Sequence, residues 1–269
     1  MILTQPIGIF DSGVGGLSVA KEIRQLLPLE DILYYADSAY CPYGDKDPAI
    51  IRQRERVITE FLLQQGAKMI VVACNTASSA GLEELRELCN LPIIGMEPGV
   101  KPAIAATRNG KIGVLATSVT IAGDRFASLV KRYAENNVVI NQPCPGLVEL
   151  IEQGKLNDPK TREILQGFLS PMLEQGVDTV VLGCTHYPFL RPLIEEMAGP
   201  DVMVIDTGLA VAHQVTRILD EHNLAVTEGT AGRDLFFTSG SEALVAKVIR
   251  DLWLRDNIVV KSIPLHPEK

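Results

Sequence analysis

The sequence has no long apolar run, no closely spaced cysteine pair and no cluster of basic residues. Its apolar runs, such as residues 69–74, are far shorter than the roughly 18–20 residues that cross a bilayer, so no membrane partner is expected. Five widely spaced cysteines predict free thiols in a reducing compartment rather than disulfides or a zinc framework. The first residues lack the pattern of a secretory signal, which argues against export. A cytoplasmic location is therefore expected.

Aromatic residues and positive charges are also scarce. Aromatics make up 5% of the 269 residues, and 25 Lys and Arg stand against 33 Asp and Glu, for a net charge of −8. Because a polyanion would find neither a basic patch nor an aromatic platform, no nucleic-acid partner is expected. The apolar share of 46% is ordinary for a globular protein, and this length allows one large domain or two smaller ones.

Short β-rich apolar runs alternate with helix-like segments, which predicts an α/β fold with mainly parallel sheets flanked by helices. The runs form two sets of four, and matching members lie 105 to 110 residues apart. We interpret this spacing as a duplication that gives two similar domains related by approximate two-fold symmetry, with the active site in the cleft between them. One continuous sheet remains the alternative. The predicted strands are residues 7–10, 32–35, 69–73, 92–95, 112–115, 138–141, 179–183 and 202–205.

The predicted domain limits follow from the same duplication. Residues 97–99 and 206–208 come after the fourth strand of each half and are candidate hinges. The tail has helical patterning at 210–221 and 242–255 around a short apolar run at 235–238, and we expect it to return to the first domain. The first domain is therefore predicted at residues 1–98 and 209–269, and the second at 99–208.

Polar clusters follow several predicted strands, where ligands bind in open parallel sheets. Residues 11–16 are Asp-Ser-Gly-Val-Gly-Gly, but Ser18 stands where a dinucleotide fingerprint needs its third glycine. This cluster is therefore either a structural turn or an anion site. Tyr43 and Gly44 lie in a turn-rich loop that could offer a hydroxyl and an amide to a ligand. Residues 117–120, which are Thr-Ser-Val-Thr, are a secondary candidate at the matching place in the second half.

Two cysteines occupy matching positions at strand ends. Cys74 precedes Asn75 and Thr76, and Cys184 precedes Thr185 and His186. A helix beginning after Cys74 would favour its thiolate. A lone strand cysteine usually packs as a small apolar residue, whereas a matched pair indicates function. A metal site at Cys184 and His186 is disfavoured because no second ligand pair lies nearby, and Cys41, Cys89 and Cys144 are expected to be packing residues.

Two thiols facing each other across a cleft could remove a proton from one face of a stereocentre and return one to the other. The donors Ser12, Asn75, Thr76 and Thr185 are suited to stabilise the carbanion that forms. Asp11 and His186 would assist proton transfer on opposite sides. The sequence thus predicts racemisation of a small molecule.

These residues lie in segments that together resemble the glutamate racemases of the aspartate/glutamate racemase superfamily over nearly the whole chain. The segments are residues 9–16, 41–44, 73–77, 144–148 with Glu152, and 182–188. The resemblance implies that Cys74 and Cys184 are the catalytic thiols and that Asp11, Glu152 and His186 are auxiliary. It assigns glutamate binding to Asp11, Ser12, Tyr43, Gly44, Asn75, Thr76, Thr185 and His186. It also implies that no pyridoxal phosphate or other cofactor and no metal is used, and that the product is D-glutamate for peptidoglycan.

Two other functions remain open from the sequence. The chain could be another member of the superfamily, acting on aspartate, hydantoins or maleate, because two thiols would serve those reactions too. It could also be a non-catalytic protein that binds or senses an amino acid. A homodimer is possible, but an interface patch is not distinguishable from core in the sequence.

Overall fold

The computed structural model describes residues 5–134, 136–253 and 258–266. These residues form two separate sheets of parallel strands with helices packed on them. The predicted α/β fold is therefore confirmed, and the alternative of one continuous sheet is excluded. No helix among these residues is both long and apolar enough to cross a membrane.

The strands and helices alternate along most of the chain. The strands are β1 Ile7–Asp11, β2 Ile32–Ala36, β3 Met69–Val72, β4 Ile93–Ile94, β5 Lys111–Ala116, β6 Val138–Pro143, β7 Thr179–Leu182, β8 Met203–Ile205, β9 Asp234–Thr238 and β10 Val260–Ser262. The helices are α1 Leu17–Leu26, α2 Pro48–Gln64, α3 Asn75–Ala80, α4 Leu82–Leu88, α5 Val100–Ala106, α6 Ser118–Ala122, α7 Asp124–Tyr133, α8 Leu147–Glu152, α9 Pro159–Glu174, α10 Arg191–Ala198, α11 Gly208–Glu221 and α12 Glu242–Trp253.

The first sheet has the strand order β10-β9-β2-β1-β3-β4 within the described residues. Helices cover both of its faces, so the central strands are buried on both sides and read as continuous apolar runs. Alternate residues of β1 enter different cores: Ile7 and Ile9 pack in one cluster and Phe10 in another. The tail returns to this sheet, because β9 pairs with β2 and β10 pairs with β9.

The second sheet has the order β6-β5-β7-β8 among the residues described. This order repeats β2-β1-β3-β4 of the first sheet strand for strand, as expected for a doubled chain. Its described strands all lie between residues 99 and 208, whereas those of the first sheet lie outside that segment. The domain limits at 98/99 and 208/209 themselves stay a prediction.

Several predicted elements differ from the observed ones. The strand predicted at 92–95 is limited to Ile93–Ile94, and the one predicted at 138–141 continues to Pro143. The helix predicted after Cys74 is interrupted at Gly81. Cys184 is followed by a short 3₁₀ helix, Tyr187–Leu190, before α10 begins. Of the helix predicted at 242–255, the last two residues lie outside the described residues.

Candidate active site

A small cavity between the two sheets is lined by both Cys74 and Cys184. Its volume is about 10 Å³, which is close to the minimum that holds one water molecule. The cavity is therefore closed. The other predicted site residues that line it are Ser12, Tyr43, Gly44, Asn75, Thr76, Thr185 and His186. The structure thus brings the predicted residues of both halves together at one place.

Asp11, the last residue of β1, joins the two sheets. Thr185 from the second half donates its hydroxyl hydrogen bond to Asp11 Oδ2 at 2.7 Å. The Gly13 N–H and the Ser12 hydroxyl donate to Oδ1 at 2.8 and 2.9 Å. Complete burial raises the pKa of Asp11, although these hydrogen bonds and the charge of His186 act in the opposite direction. A raised pKa suits a group that exchanges a proton.

His186 lies between Glu152 and Cys184. Its Nε2 is 2.7 Å from Glu152 Oε1, and its Nδ1 is 3.7 Å from Cys184 Sγ. Burial acts to lower the pKa of His186, but hydrogen bonds to Cys184, Cys41 and Glu152 outweigh it, and the pKa is raised well above its usual value. A positive charge on His186 would therefore lie next to Cys184 Sγ.

Glu152, at the end of α8, contacts the loop of residues 11–16, which follows β1 in the first half of the chain. The Val14 N–H donates to Glu152 Oε1 at 2.6 Å. This loop approaches closely because Gly13 and Gly15 have no side chain. A Cβ at Gly13 would overlap the Glu152 carboxylate, and a Cβ at Gly15 would overlap the His186 ring. The glycines of the loop therefore serve close packing against this pair.

Cys74 is the N-cap residue of α3, where its Sγ accepts a hydrogen bond from the Ala77 N–H at 3.5 Å. Burial, and after it the charge of Asp11, raises the pKa of the Cys74 thiol. The Ala77 N–H at the helix N-terminus acts to lower the pKa of Cys74, in the expected direction, but burial has the larger effect in the closed cavity. The helix has only six residues, and desolvation of the sulfur outweighs its dipole.

Three threonine hydroxyls meet where α3 and α6 approach each other. The Oγ1 atoms of Thr76 and Thr117 are 2.8 Å apart, and those of Thr117 and Thr120 are 2.9 Å apart. Beside them, both polar atoms of the Asn75 side chain are buried without a hydrogen-bond partner. A buried amide in this state costs free energy, so it indicates a place for a polar ligand. Thr117 and Thr120 were only a secondary candidate in the sequence.

Tyr43 and Gly44 line the cavity from the loop that follows β2. The Tyr43 hydroxyl donates to Asp37 Oδ2 at 2.6 Å, so its oxygen can only accept a hydrogen bond from a ligand. The binding of glutamate by Tyr43 stays a prediction. Asp37 in turn accepts two hydrogen bonds from Arg54, each of 2.9 Å. Gly44 packs against Thr117, whose Cβ would lie 2.8 Å from a Cβ at this position. The loop is thus fixed from behind.

Cys41 also lies at this site, which the sequence analysis missed. One ligand atom each of Cys41, Glu152 and His186 lies within 4.8 Å of the others. Burial, and after it the charge of Glu152, raises the pKa of Cys41 to about 12. Its position directly before Pro42 and Tyr43 was the one available signal. Cys144 is buried and Cys89 is partly exposed.

A second, larger cavity of about 640 Å³ lies on residues of both halves. Charged and polar residues of its lining include Arg86, Lys101, Arg125, Tyr133, Thr207 and His222. Thr207 Oγ1 and Arg125 Nε are buried without a hydrogen-bond partner. The lining given by the described residues contains no member of the predicted catalytic set.

In this chain two similar parallel sheets close over a pair of thiols, and an ionisable group lies beside each thiol. This arrangement identifies the class of protein as an amino-acid racemase. A family described as Asp/Glu/Hydantoin racemase matches residues 11–215. The chain belongs to this family, and it is an isomerase.

Known relatives support this assignment over the full length. The chain is 54% identical to the glutamate racemase of Stutzerimonas stutzeri over 260 residues, 96% of this chain and 97% of that protein. Two solved structures hold opposite enantiomers. The Escherichia coli glutamate racemase, in complex with L-glutamate and the activator UDP-MurNAc-Ala, is 31% identical with a TM-score of 0.86, over 97% of this chain and 99% of that chain. The Francisella tularensis glutamate racemase in complex with D-glutamate is 29% identical with a TM-score of 0.83, over 97% of each chain.

Proposed function

We propose that this chain interconverts L-glutamate and D-glutamate by a two-base mechanism. Cys74 and Cys184 are the two bases, each facing one side of the substrate Cα. The observation that carries the proposal is that both thiols line one closed cavity, together with the unpartnered amide of Asn75. In each direction one cysteine, as thiolate, takes the Cα proton, and the opposite thiol donates a proton to the other face.

Each thiol has its own auxiliary group in this proposal. The imidazolium of His186, held by Glu152 at 2.7 Å, stabilises a thiolate at Cys184. On the other side, Asp11 lies close enough for its charge to raise the pKa of Cys74. When substrate enters, the proton of the Cys74 thiol passes to Asp11. The neutral carboxyl then no longer repels the Cys74 thiolate. Asp11 and His186 thus act on opposite faces of the substrate.

Hydrogen-bond donors in the cavity stabilise the carbanion and orient the substrate. Asn75, Thr76 and Thr117 offer an amide and hydroxyls to this cavity. Ser12 and Thr185 offer two further hydroxyls to it. In comparable sites each donor aimed at developing negative charge contributes about 2.7–4 kcal/mol to transition-state stabilisation. Such a contribution is needed because a Cα proton beside a carboxylate is far less acidic than a thiol.

The choice of glutamate is supported by the relatives. The Stutzerimonas stutzeri protein, at 54% identity, is a glutamate racemase, and the two solved relatives bind L- and D-glutamate. We further propose that D-glutamate made by this chain enters peptidoglycan synthesis and that the chain works in the cytoplasm, where its five free cysteines stay reduced.

The test is racemisation by Cys74→Ala and Cys184→Ala, followed by circular dichroism of L- and D-glutamate solutions. Each variant is expected to lose about 10²–10⁴-fold in rate. Each should still eliminate a β leaving group from only one enantiomer of a suitable amino acid, because one base remains. Cys89→Ala, which changes a partly exposed cysteine outside the cavity, is the control and should keep the wild-type rate.

Other outcomes would contradict parts of this proposal. Normal racemisation by either alanine variant would rule out the two-base mechanism. Turnover of aspartate with no change in the glutamate signal would transfer the chain to another substrate. Inactivity of fresh, reduced protein on all amino acids tested would favour a binding protein.

We also propose that the 640 Å³ cavity takes an activator of the kind bound by the Escherichia coli relative. Lys101, Arg86 and Arg125 in its lining suit a diphosphate, with Arg125 also paired to Glu97 of the same lining. The unpartnered Thr207 hydroxyl offers a hydrogen bond. UDP-MurNAc-Ala should raise the wild-type rate, and Lys101→Ala should weaken that response while keeping the basal rate. Lys160→Ala, outside the cavity, is the matched control. An equal response in the Lys101 and Lys160 variants would rule out this location.

A further inference from the structure

Cys41 is a third thiol at the site, and the proposed mechanism does not use it. Its Sγ lies within 4.8 Å of a nitrogen of the His186 imidazole and 4.0 Å from Ser12 Oγ. Together with Glu152 and His186 it forms a group whose ligand atoms lie within 4.8 Å of one another. We call these three residues the Cys41 cluster.

The donor set of the Cys41 cluster is sulfur, nitrogen and carboxylate oxygen, which is the set that Zn²⁺ prefers. Zinc binds these atoms at roughly 2.0–2.3 Å in tetrahedral geometry, which places them roughly 3.5 Å from one another. The three ligand atoms of the Cys41 cluster lie up to 4.8 Å apart. Cys41 Sγ therefore has to move about 1 Å or slightly more toward the other two ligand atoms. The contact of 2.7 Å between His186 and Glu152 has to open by less than that.

The Cys41 cluster is accessible from the solvent, and the Asp11 carboxyl near it attracts a cation. Cys41 is partly exposed in the loop between β2 and the Tyr43 turn, and the Glu152 side chain is 16% exposed. The Asp11 carboxyl lies near enough to affect both Cys41 and His186. A cation that enters from the solvent therefore meets Cys41 and Glu152 before the buried imidazole.

We propose that the Cys41 cluster binds Zn²⁺ or a similar soft divalent cation and that this binding inhibits the enzyme. A Zn–S bond replaces the S–H bond of Cys41, and a Zn–N bond replaces an N–H bond of the His186 imidazolium. Both protons pass to the solvent without any change of oxidation state. His186 and Glu152 bind the metal and no longer support Cys184, so proton transfer on that side stops. The inhibition rests on the proposed racemase function, whereas the binding does not.

The test compares the full-length wild type with Cys41→Ala and with Cys89→Ala, the other partly exposed cysteine. Each reduced, chelator-treated protein is titrated with Zn²⁺ by calorimetry and with Co²⁺ by absorption, which reports thiolate ligation. Wild type and Cys89→Ala should bind one ion, and Cys41→Ala should bind at least about tenfold more weakly, as loss of even an outer partner does. Zn²⁺ should stop racemisation by wild type reversibly, with recovery in EDTA, and Cys41→Ala should resist at the same concentration.

The possible failures can be told apart. If Cys41→Ala binds Zn²⁺ as tightly as wild type, or is inhibited equally, the metal acts on Cys74 or Cys184 and the proposal is overturned. If wild type shows no thiolate-to-Co²⁺ band, it is also overturned. If wild type binds the ion through Cys41 but does not racemise glutamate, the proposed function fails and the metal site stands.

Discussion

Gly15 is the residue whose lack of a side chain matters most for the site. A Cβ there would overlap the His186 ring, so Gly15→Ala has to displace the imidazole from Cys184 or from Glu152. Since a misplacement of about 1 Å can cost on the order of 10²-fold in rate, we expect racemisation to fall by about that factor. Steady-state kinetics by circular dichroism measures it.

Gly167→Ala is the matched control for this substitution. Gly167 is an exposed residue of α9, and a Cβ there meets nothing within 4 Å. The change should keep the rate and stabilise the protein by roughly 0.5–1 kcal/mol, because alanine favours a helix. A Gly15→Ala protein that is folded and as active as Gly167→Ala would show that the His186 position is not required.

At this scale the sequence predicted most of the residues that line the candidate site but not how they pair. Cys74 and Cys184 could be found because the duplication places them at matching strand ends. Cys41 could not, because only the folded loop brings it to Glu152 and His186, which are more than 100 positions away. The pairing of the Tyr43 hydroxyl with Asp37 was equally hidden, since a tyrosine in a turn reads the same whether its hydroxyl is paired or free.

Helix α2 carries a buried carboxyl group at the break between α3 and α4. Both oxygens of Glu55 are buried without a hydrogen-bond partner, and a Cβ at Gly81 would overlap this carboxylate. Burial, and after it the charge of Glu84, raises the pKa of Glu55 well above its usual value, and Arg52 opposes the shift. The carboxyl is therefore neutral in the folded protein over a wider pH range than in the unfolded one.

This shift predicts a pH dependence of stability. The contribution of Glu55 is fully present below its unfolded pKa and is lost as the pH rises through the raised folded pKa, because the unfolded chain releases the proton more easily. Glu55→Gln, which is neutral at all pH values, should therefore lose less stability than wild type as the pH rises above the unfolded pKa of glutamate, about 4.3. Urea unfolding of both proteins measures this. Parallel pH profiles would show that Glu55 does not titrate differently in the two states.

Helices and strands could be predicted where their residues are completely buried. They could not be predicted where a single contact with another element determines where they begin or end. The central strands read as apolar runs because helices cover both faces of each sheet. At the break, Gly81 packs against the Glu55 carboxyl from another helix, and a local sequence pattern does not contain that contact. The three-residue strand β10 exists through its pairing with β9 and has too few residues for a periodic signal.

The whole molecule has to open for a substrate to enter, because the cavity at the thiols holds only about 10 Å³. Ser79 in α3 and Gly123 before α7 meet across the two halves, where a Cβ at Gly123 would lie 3.5 Å from Ser79 Cβ. That separation is within the range of a disulfide. Ser79→Cys with Gly123→Cys should therefore lock the closed form when oxidised and abolish turnover.

The same protein provides its own control. Treatment with dithiothreitol should restore the rate, and each single variant should keep its rate under the same oxidant. Peptide mapping has to show the new disulfide rather than one that involves Cys74 or Cys184. Full activity of the mapped, oxidised protein would show that glutamate enters without separation of the two halves.

The repeated strand order β2-β1-β3-β4 and β6-β5-β7-β8 has a consequence for handedness. In a pair of identical chains assembled around a two-fold axis, the two sulfurs would have identical surroundings. In one continuous chain the two copies are free to diverge, and here one sulfur caps a helix while the other contacts an imidazole. The enzyme can therefore treat left- and right-handed substrates with different affinity and speed, while the ratio of forward to reverse flux at equilibrium stays fixed by the substrates alone.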